Sequence, residues 1–446
     1  MWDRLVDEAQ AARALKQLQD QGVQRGAIVA WLGMNSWQTL AALVACQRLG
    51  AVMLPLNWRL AAAELAQIVG QAGAGHLLAS MEMEPLAAAI RSRVTLQQGP
   101  APEVQDGDVL LVYTSGTTGQ PKGAMHTRAG LQANAAAAID AQGFDAASRV
   151  LSTLPLFHVG GLCIQTLPAL AAGGQVRLHP RFDADAWFDD VAAWRPTTTL
   201  LVPATMRTLI EHPRWARADL SSLAFVNCGS QIVPRHLIDA FQARSVPVAQ
   251  VYGATETGPV SIVLRPEEAM AHPGMAGRAA LGVQLELAAD GEILLRAPQM
   301  MRGYHRSADS GFDAQGWFHS GDLAVRHANG MIEVVGRSKE IIISGGENIH
   351  PAEIENLVAE RPEVAECAVA GVPDPRWGEM PVLAVVARPG QIVDGQAILD
   401  ALSSRLARFK QPRRVVVLAE LPKTALGKVR RGDLAALLAI SPVTSV

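Results

Sequence analysis

Cysteine is scarce. The four residues Cys46, Cys163, Cys228 and Cys367 lie far apart among 446 residues, and none forms a CxxC pair. Neither a zinc ribbon nor a disulfide framework is expected, and a reducing compartment fits. Aromatic residues make up only 5%, with three Tyr, which argues against stacking platforms for single-stranded nucleic acid. An excess of charge is also missing. Thirty-nine Lys and Arg against 42 Asp and Glu leave −3, so no nucleic-acid partner held by bulk positive charge is expected. The start carries Asp3, Arg4, Asp7 and Glu8 with no apolar stretch behind a basic end, so no signal peptide is expected. The longest run free of Asp, Glu, Lys and Arg covers residues 150–176, but Pro155, His158, Gly160, Gly161, Pro168, Gly173 and Gly174 interrupt it. It reads as buried turns and a short helix, with no membrane span. A soluble, cytoplasmic protein is the expectation.

What is present is a globular chain, with 49% hydrophobic and 18% charged residues, too long for one ordinary core. Residues 8–21 are Ala-, Leu- and Gln-rich and stop at Gly22, as a helix does. Short apolar runs at 27–32, 51–56 and 76–79 alternate with helical stretches at 37–49 and 62–69. Asn35 and Ser36 stand ready to cap the former. Strand, helix and strand in repetition predict a parallel sheet covered on both faces. The pattern resumes with strands at 109–113, 198–202, 224–228 and 248–251, and with a helix at 131–141. From about Gly282 it changes. Short strands at 292–296, 323–326 and 331–335 flank Asp290-Gly291 and Asn329-Gly330, which are hairpin signals. The last hundred residues alternate strands (341–343, 365–372, 382–387, 414–418) with helices (352–359, 396–406). The expected fold class is α/β. A large N-terminal domain, 1–338, has parallel-rich sheets with helices plus an antiparallel subdomain. A small mobile α+β C-terminal domain, 339–446, follows.

Five segments carry the chemistry. The densest is Tyr113-Thr114-Ser115-Gly116-Thr117-Thr118-Gly119-Gln120-Pro121-Lys122-Gly123. Its three glycines admit close backbone approach, its N–H and hydroxyl groups donate to phosphate oxygens, and Lys122 adds positive charge. It is not a Walker A loop, since GxxxxGK[ST] is absent. A bland surface turn needs neither four hydroxyls nor the lysine. Tyr252-Gly253-Ala254-Thr255-Glu256-Thr257-Gly258 follows a strand, at the end where α/β sheets bind ligands. Glu256 suits a magnesium ion that also touches phosphate, and an ordinary loop with one exposed Glu competes evenly with that reading. Asp322, in Gly316-Trp317-Phe318-His319-Ser320-Gly321-Asp322, suits the hydroxyls of a ribose, although an Asp turn is the commoner reading. Arg337 and Lys339 precede the adjacent Gly345 and Gly346, and a hairpin beside solvated charges is a competing reading. Lys428 lies in a Gly-containing loop near the C-terminus, where a lone lysine is usually just solvated.

In order and spacing these segments resemble the adenylate-forming superfamily of acyl-CoA synthetases, luciferases and peptide-synthetase adenylation domains, over nearly the whole chain. Residues 342–349, Ile-Ile-Ser-Gly-Gly-Glu-Asn-Ile, and Pro351-Ala352-Glu353-Ile354-Glu355 look most like fatty-acyl, aryl and succinylbenzoate CoA ligases. The resemblance implies ATP, Mg2+ and CoA as cofactors, with a carboxylic acid as substrate. It implies that Thr114, Ser115, Gly116, Thr117, Thr118, Gly119 and Lys122 wrap the β- and γ-phosphates. Thr255 would bond the α-phosphate and Glu256 would hold the metal. Gly229, Ser230, Tyr252, Gly253 and Ala254 would frame the adenine, and Asp322 and Arg337 would hold the ribose. Lys428 would stabilise the reacting carboxylate, and with Thr255 and Glu256 it makes the catalytic set. Lys339 would be the hinge, and Gly345 and Gly346 would flank the CoA tunnel. The acyl pocket would involve His158, Val159, Gly160 and Val251, along with the strand end at Asn227 to Gly229. A core histidine is an equally natural reading of His158.

Four departures from the family pattern stand out. The chain begins late, the stretch from Ser80 to Gly107 is short, Asn227-Cys228-Gly229 stands where Gly-Gly is common, and Leu426 replaces a frequent hydroxyl residue. The favoured acid is a fatty acid of medium or long chain, with an aryl or succinylbenzoate-type acid next. Loading of a carrier protein's phosphopantetheine is an alternative to free CoA. A regulatory nucleotide binder is the reading outside catalysis, and the intact Lys122, Glu256, Asp322, Arg337 and Lys428 speak against it. A homodimer is a further open expectation.

Overall fold

The computed structural model describes residues 2, 5–97, 99–114, 121–345, 347–423 and 428–440. The chain divides into two compact units. The first comprises Met1–Ser230, Phe241–Glu286 and Leu294–His319, the second Gln231–Ala240, Leu287–Ile293 and Ser320–Val446.

In the first unit, helix Trp37–Leu49 starts where the Ser36 side chain accepts from the Thr39 N–H. It ends at Gly50, which takes a left-handed conformation. The apolar strand Ile28–Leu32 is buried along its whole length, as a strand covered on both faces must be. It pairs in parallel with Val52–Pro55 and His76–Ala79, and Val52–Pro55 pairs in parallel with Asp108–Thr114. Lys122–Thr127 then returns antiparallel beside Asp108–Thr114, and Gly303–Tyr304 completes the six-stranded sheet. The return strand was not expected, because Lys-Gly-Ala-Met-His-Thr has neither clean alternation nor a β-branched run.

A second sheet of seven strands is parallel from Gln175–Leu178 through Arg149–Ser152, Thr198–Leu201 and Phe225–Gly229 to Val248–Tyr252. Ile262–Leu264 and Arg278–Ala279 extend it antiparallel. The uncharged run at 150–176 thus holds most of the buried strand Arg149–Ser152 and the first half of Gln175–Leu178 as well as the expected helical stretch. That stretch includes a π-turn at Leu162–Thr166. A short apolar run bears no period that separates strand from helix. Leu40, Leu43, Met53, Leu110, Val150 and Leu167 belong to one continuous core.

Phe318–Arg326, which enters the second unit at Ser320, and Ile332–Arg337 form a hairpin about the foreseen Asn329-Gly330 turn. The strands Glu347–Ile349, Ile342–Ser344, Gly378–Ala387, Val364–Asp374 and Arg414–Leu418 build a further sheet. Helices Pro351–Ala359 and Gly395–Ser403 bury Ile354, Val358, Ile398 and Leu402 against Val369, Leu383 and Val385. The unanticipated helix Arg431–Ile440 buries Leu434 and Leu438 among Ala384, Val382 and Val416. No helix among the described residues is long and apolar enough to cross a membrane.

Candidate active site

Thr114 ends the strand Asp108–Thr114, and its register partner Lys122 begins the return strand. Ser115, Gly116, Thr117, Thr118 and Gly119 lie outside the described residues. The Thr114 hydroxyl donates to the Lys122 carbonyl at 3.4 Å and stands 3.5 Å from Glu256 Oε1. The same carboxylate oxygen accepts from the Tyr304 hydroxyl at 3.0 Å. Burial, and then the Glu256 charge, push the Tyr304 phenol well above its ordinary range, so it stays protonated and donates. The Glu256 carbonyl is held by the Met301 N–H at 2.9 Å. Lys122 Nζ meets Asp309 at 3.0 Å and lies 4.8 Å above the Tyr304 ring, a cation–π distance. Thr114, Glu256, Tyr304 and Lys122 therefore form one connected polar chain, joining strand ends that are far apart in sequence.

The floor of this region is the second sheet's carboxyl edge. Gly229 registers with Val251, and a Cβ on Gly229 would stand 2.4 Å from the Val251 carbonyl oxygen. Ser230 follows at φ 71°, a conformation that a non-glycine residue seldom adopts away from functional sites. Tyr252, Gly253, Ala254, Thr255 and Glu256 are all half-buried. The Ala254 N–H donates to Thr257 Oγ1 at 2.9 Å, which fixes the turn beneath Thr255. His158 precedes the short helical stretch of Val159 and Gly160, its ring 4.6 Å from that of Phe157. Val251 packs in one cluster with Leu154 and Ile164, which brings this segment to the strand ends. Thr114, Lys122, Gly229, Ser230, Tyr252 to Glu256, Val251 and the His158 segment are all held by the first unit's two sheets.

The second unit holds the other candidates. Asp322 and Arg337 sit opposite each other in the hairpin, and Arg337 Nε donates to Asp322 Oδ1 at 2.6 Å. Lys339 is exposed in a 3-10 turn at Ser338–Glu340. Gly345 lies in the turn after Ile342–Ser344 and donates its N–H to the Trp377 carbonyl at 2.8 Å. Gly346 is outside the described residues. Lys428 is exposed, three residues before Arg431. Arg431 bonds Glu340 at 2.8 Å, Glu355 at 2.6 Å and the Val369 carbonyl at 2.7 Å.

The family model for the AMP-binding enzyme matches residues 8–305, and that for the AMP-binding enzyme C-terminal domain matches residues 353–428. The chain belongs to the AMP-binding enzyme family. It is 44% identical to an indoleacetate–CoA ligase of Aromatoleum aromaticum, over 96% of this chain and 91% of that protein. A feruloyl-CoA synthase of an Amycolatopsis species is 38% identical, over 95% of this chain and 91% of that one. Among solved structures, ATP-bound MatB from Rhodopseudomonas palustris superposes with a TM-score of 0.88 at 28% identity, covering 97% of this chain and 92% of that chain. The protein is an AMP-forming acid–thiol ligase of the adenylate-forming superfamily, and ATP, Mg2+ and CoA are its cofactors.

Glu256 fits the metal. Its Oε1 is fixed by Tyr304, and among the described residues no hydrogen bond reaches Oε2. Magnesium typically takes one or two carboxylates plus phosphate oxygens. Sequence reasoning overlooked Tyr304, Asp309 and the Arg431 cluster. The one available signal was that Tyr304 is one of only three tyrosines.

Proposed function

We propose that this enzyme joins an aromatic carboxylic acid to CoA. The observation that carries the adenylating half is the continuous chain from Lys122 through Tyr304 and Glu256 to Thr114. The aromatic choice rests on the relatives that act on indoleacetate and ferulate, at 44% and 38% identity. The medium- or long-chain fatty acid expected from sequence stands behind it.

The acid attacks the α-phosphorus of ATP, giving acyl-AMP and pyrophosphate. The CoA thiol then attacks the acyl carbon and AMP leaves. Two anions must meet in the first step, so positioning and compensating charge supply most of the acceleration. Lys122 and the loop from Thr114 bind the β- and γ-phosphates. Thr255 donates to the α-phosphate, and Glu256 would hold Mg2+, which when bound would supply charge that offsets that of the phosphates. Gly229, Ser230, Tyr252, Gly253 and Ala254 take the adenine. Asp322 and Arg337 bind the ribose, with Asp322 pre-oriented by the guanidinium. The ring of the acid lies among His158, Val159, Gly160 and Val251. Lys428 bridges the attacking carboxylate and the α-phosphate. After adenylation the C-terminal domain turns at Lys339, and Gly345 and Gly346 come to flank the pantetheine arm.

The test is an acid panel followed by pyrophosphate release, with and without CoA. Aryl acids should outrun fatty acids by at least about tenfold in kcat/KM, and the reverse order would overturn the aromatic choice. Lys428→Ala should abolish acyl-AMP formation while supplied acyl-AMP still yields thioester. Equal loss of both half-reactions would remove Lys428 from the role given to it.

A further inference from the structure

One segment of chain holds Glu256 at both ends. Its carbonyl accepts from the Met301 N–H at 2.9 Å, and its Oε1 accepts from the Tyr304 hydroxyl at 3.0 Å. An ionised carboxylate only accepts, so the single phenolic proton is committed to that oxygen. The Thr114 hydroxyl stands at the same oxygen, 3.5 Å from Oε1. Among the described residues no hydrogen bond reaches Oε2.

The phenol has little freedom to follow a moving carboxylate. Tyr304 registers with Ala124 in the first sheet. The residues on either side bond to the same strand. The Arg302 N–H donates to the Met125 carbonyl and the His305 N–H to the Gly123 carbonyl, each at 2.7 Å. Side chains add to the anchorage. Arg302 grips the buried Asp108 at 2.8 and 3.0 Å, and His305 Nε2 donates to the Ala72 carbonyl at 3.0 Å. A Cβ on Gly311 would lie 3.2 Å from Tyr304 Cε2, so the following loop closes against the ring. A donor anchored in this way presets the rotation of the carboxylate before any ligand arrives.

A carboxylate so held offers one oxygen, not two. Mg2+ requires a near-ideal octahedron, which a bidentate carboxylate distorts, whereas the larger and less exacting Ca2+ readily takes both oxygens of a carboxylate. We infer that Tyr304 is a positioning residue that restricts Glu256 to one-oxygen ligation and so selects the Mg2+ complex of ATP over the Ca2+ complex. This rests on Glu256 as the metal-holding residue and deepens that reading by naming what sets its choice of ion.

The experiment measures, by calorimetry, the dissociation constant of α,β-methylene-ATP in saturating Mg2+ and in saturating Ca2+. This analogue resists cleavage at the bond that adenylation breaks, so no turnover enters the readout. Tyr304→Phe keeps the ring under Lys122 and removes only the hydroxyl. The unmodified enzyme should favour the Mg2+ complex, and in Tyr304→Phe the ratio of the two constants should move toward Ca2+ at least about fivefold. Loss of stability alone would weaken both complexes alike. Glu256→Gln is measured beside it. Equal binding of the two complexes by the unmodified enzyme, or an unchanged ratio in Tyr304→Phe, would overturn the inference, and weakened binding of both in Glu256→Gln would still leave Glu256 as the metal-holding residue. Full binding of both complexes by Glu256→Gln would overturn that reading and this inference with it.

Discussion

Lys122 is engaged before any nucleotide arrives. Its partner Asp309 is 57% exposed and Lys122 itself 34%. A pair that open to water contributes only about 0–1 kcal/mol. If Lys122 binds the β- and γ-phosphates as proposed, the triphosphate competes with Asp309 for the ammonium charge. Asp309→Asn removes the competing charge. Its KM for MgATP should fall about two- to fivefold, the range that 1 kcal/mol or less allows, with kcat little changed. Steady-state kinetics with varied MgATP decides this, and a raised KM would mean that Asp309 helps to place Lys122. The contrast in legibility at this scale is physical. Lys122 and Glu256 could be put forward from sequence because a Gly- and hydroxyl-rich loop and a carboxylate after a strand carry local signatures. Asp309 and Tyr304 were not, because their contacts span 187 and 48 residues. No spacing rule reaches that far, and only the pairing of Gly303–Tyr304 with Lys122–Thr127 brings them home.

Turns and strands show the same division. Asn329-Gly330 announced its hairpin because Gly330 takes φ 81°, a conformation that glycine reaches without penalty. The helix Trp37–Leu49 was legible end to end through its Ser36 and Gly50 caps. The strands Lys122–Thr127 and Arg149–Ser152 were missed because tertiary pairing makes them strands, whereas their own sequences do not. Gly345, by contrast, joins a sequence signal to a structural need. It sits at φ 62°, and an added Cβ would lie 2.7 Å from Trp377 Cε3. A left-handed alanine costs about 1–2 kcal/mol before that clash is counted. Gly345→Ala should push the indole or the turn out of place. Conversion of supplied acyl-AMP to thioester should then drop at least about tenfold, with pyrophosphate release from acid and ATP kept within about twofold. Parallel loss in both assays would place the fault in folding.

At the scale of the molecule, the second unit gathers residues from three stretches of chain, and sequence order alone does not show such an assembly. What ties it together beside Lys339 is Arg431. It binds Glu340, next to Lys339, and Glu355, on the helix Pro351–Ala359. The segment that carries Lys428 is thereby fastened to the residue after Lys339, so a rotation at the proposed hinge would move the lysine proposed as catalytic along with it. Lys339 lies in a 3-10 turn, whose φ of about −60° is one that proline adopts. Lys339→Pro should therefore keep the present turn and lock it. Release of pyrophosphate should survive within about threefold, while thioester formation from supplied acyl-AMP falls at least about a hundredfold. A Lys339→Ala control should retain both activities, because alanine frees the charge without fixing φ. Full turnover by the proline variant would place the rotation elsewhere in the chain.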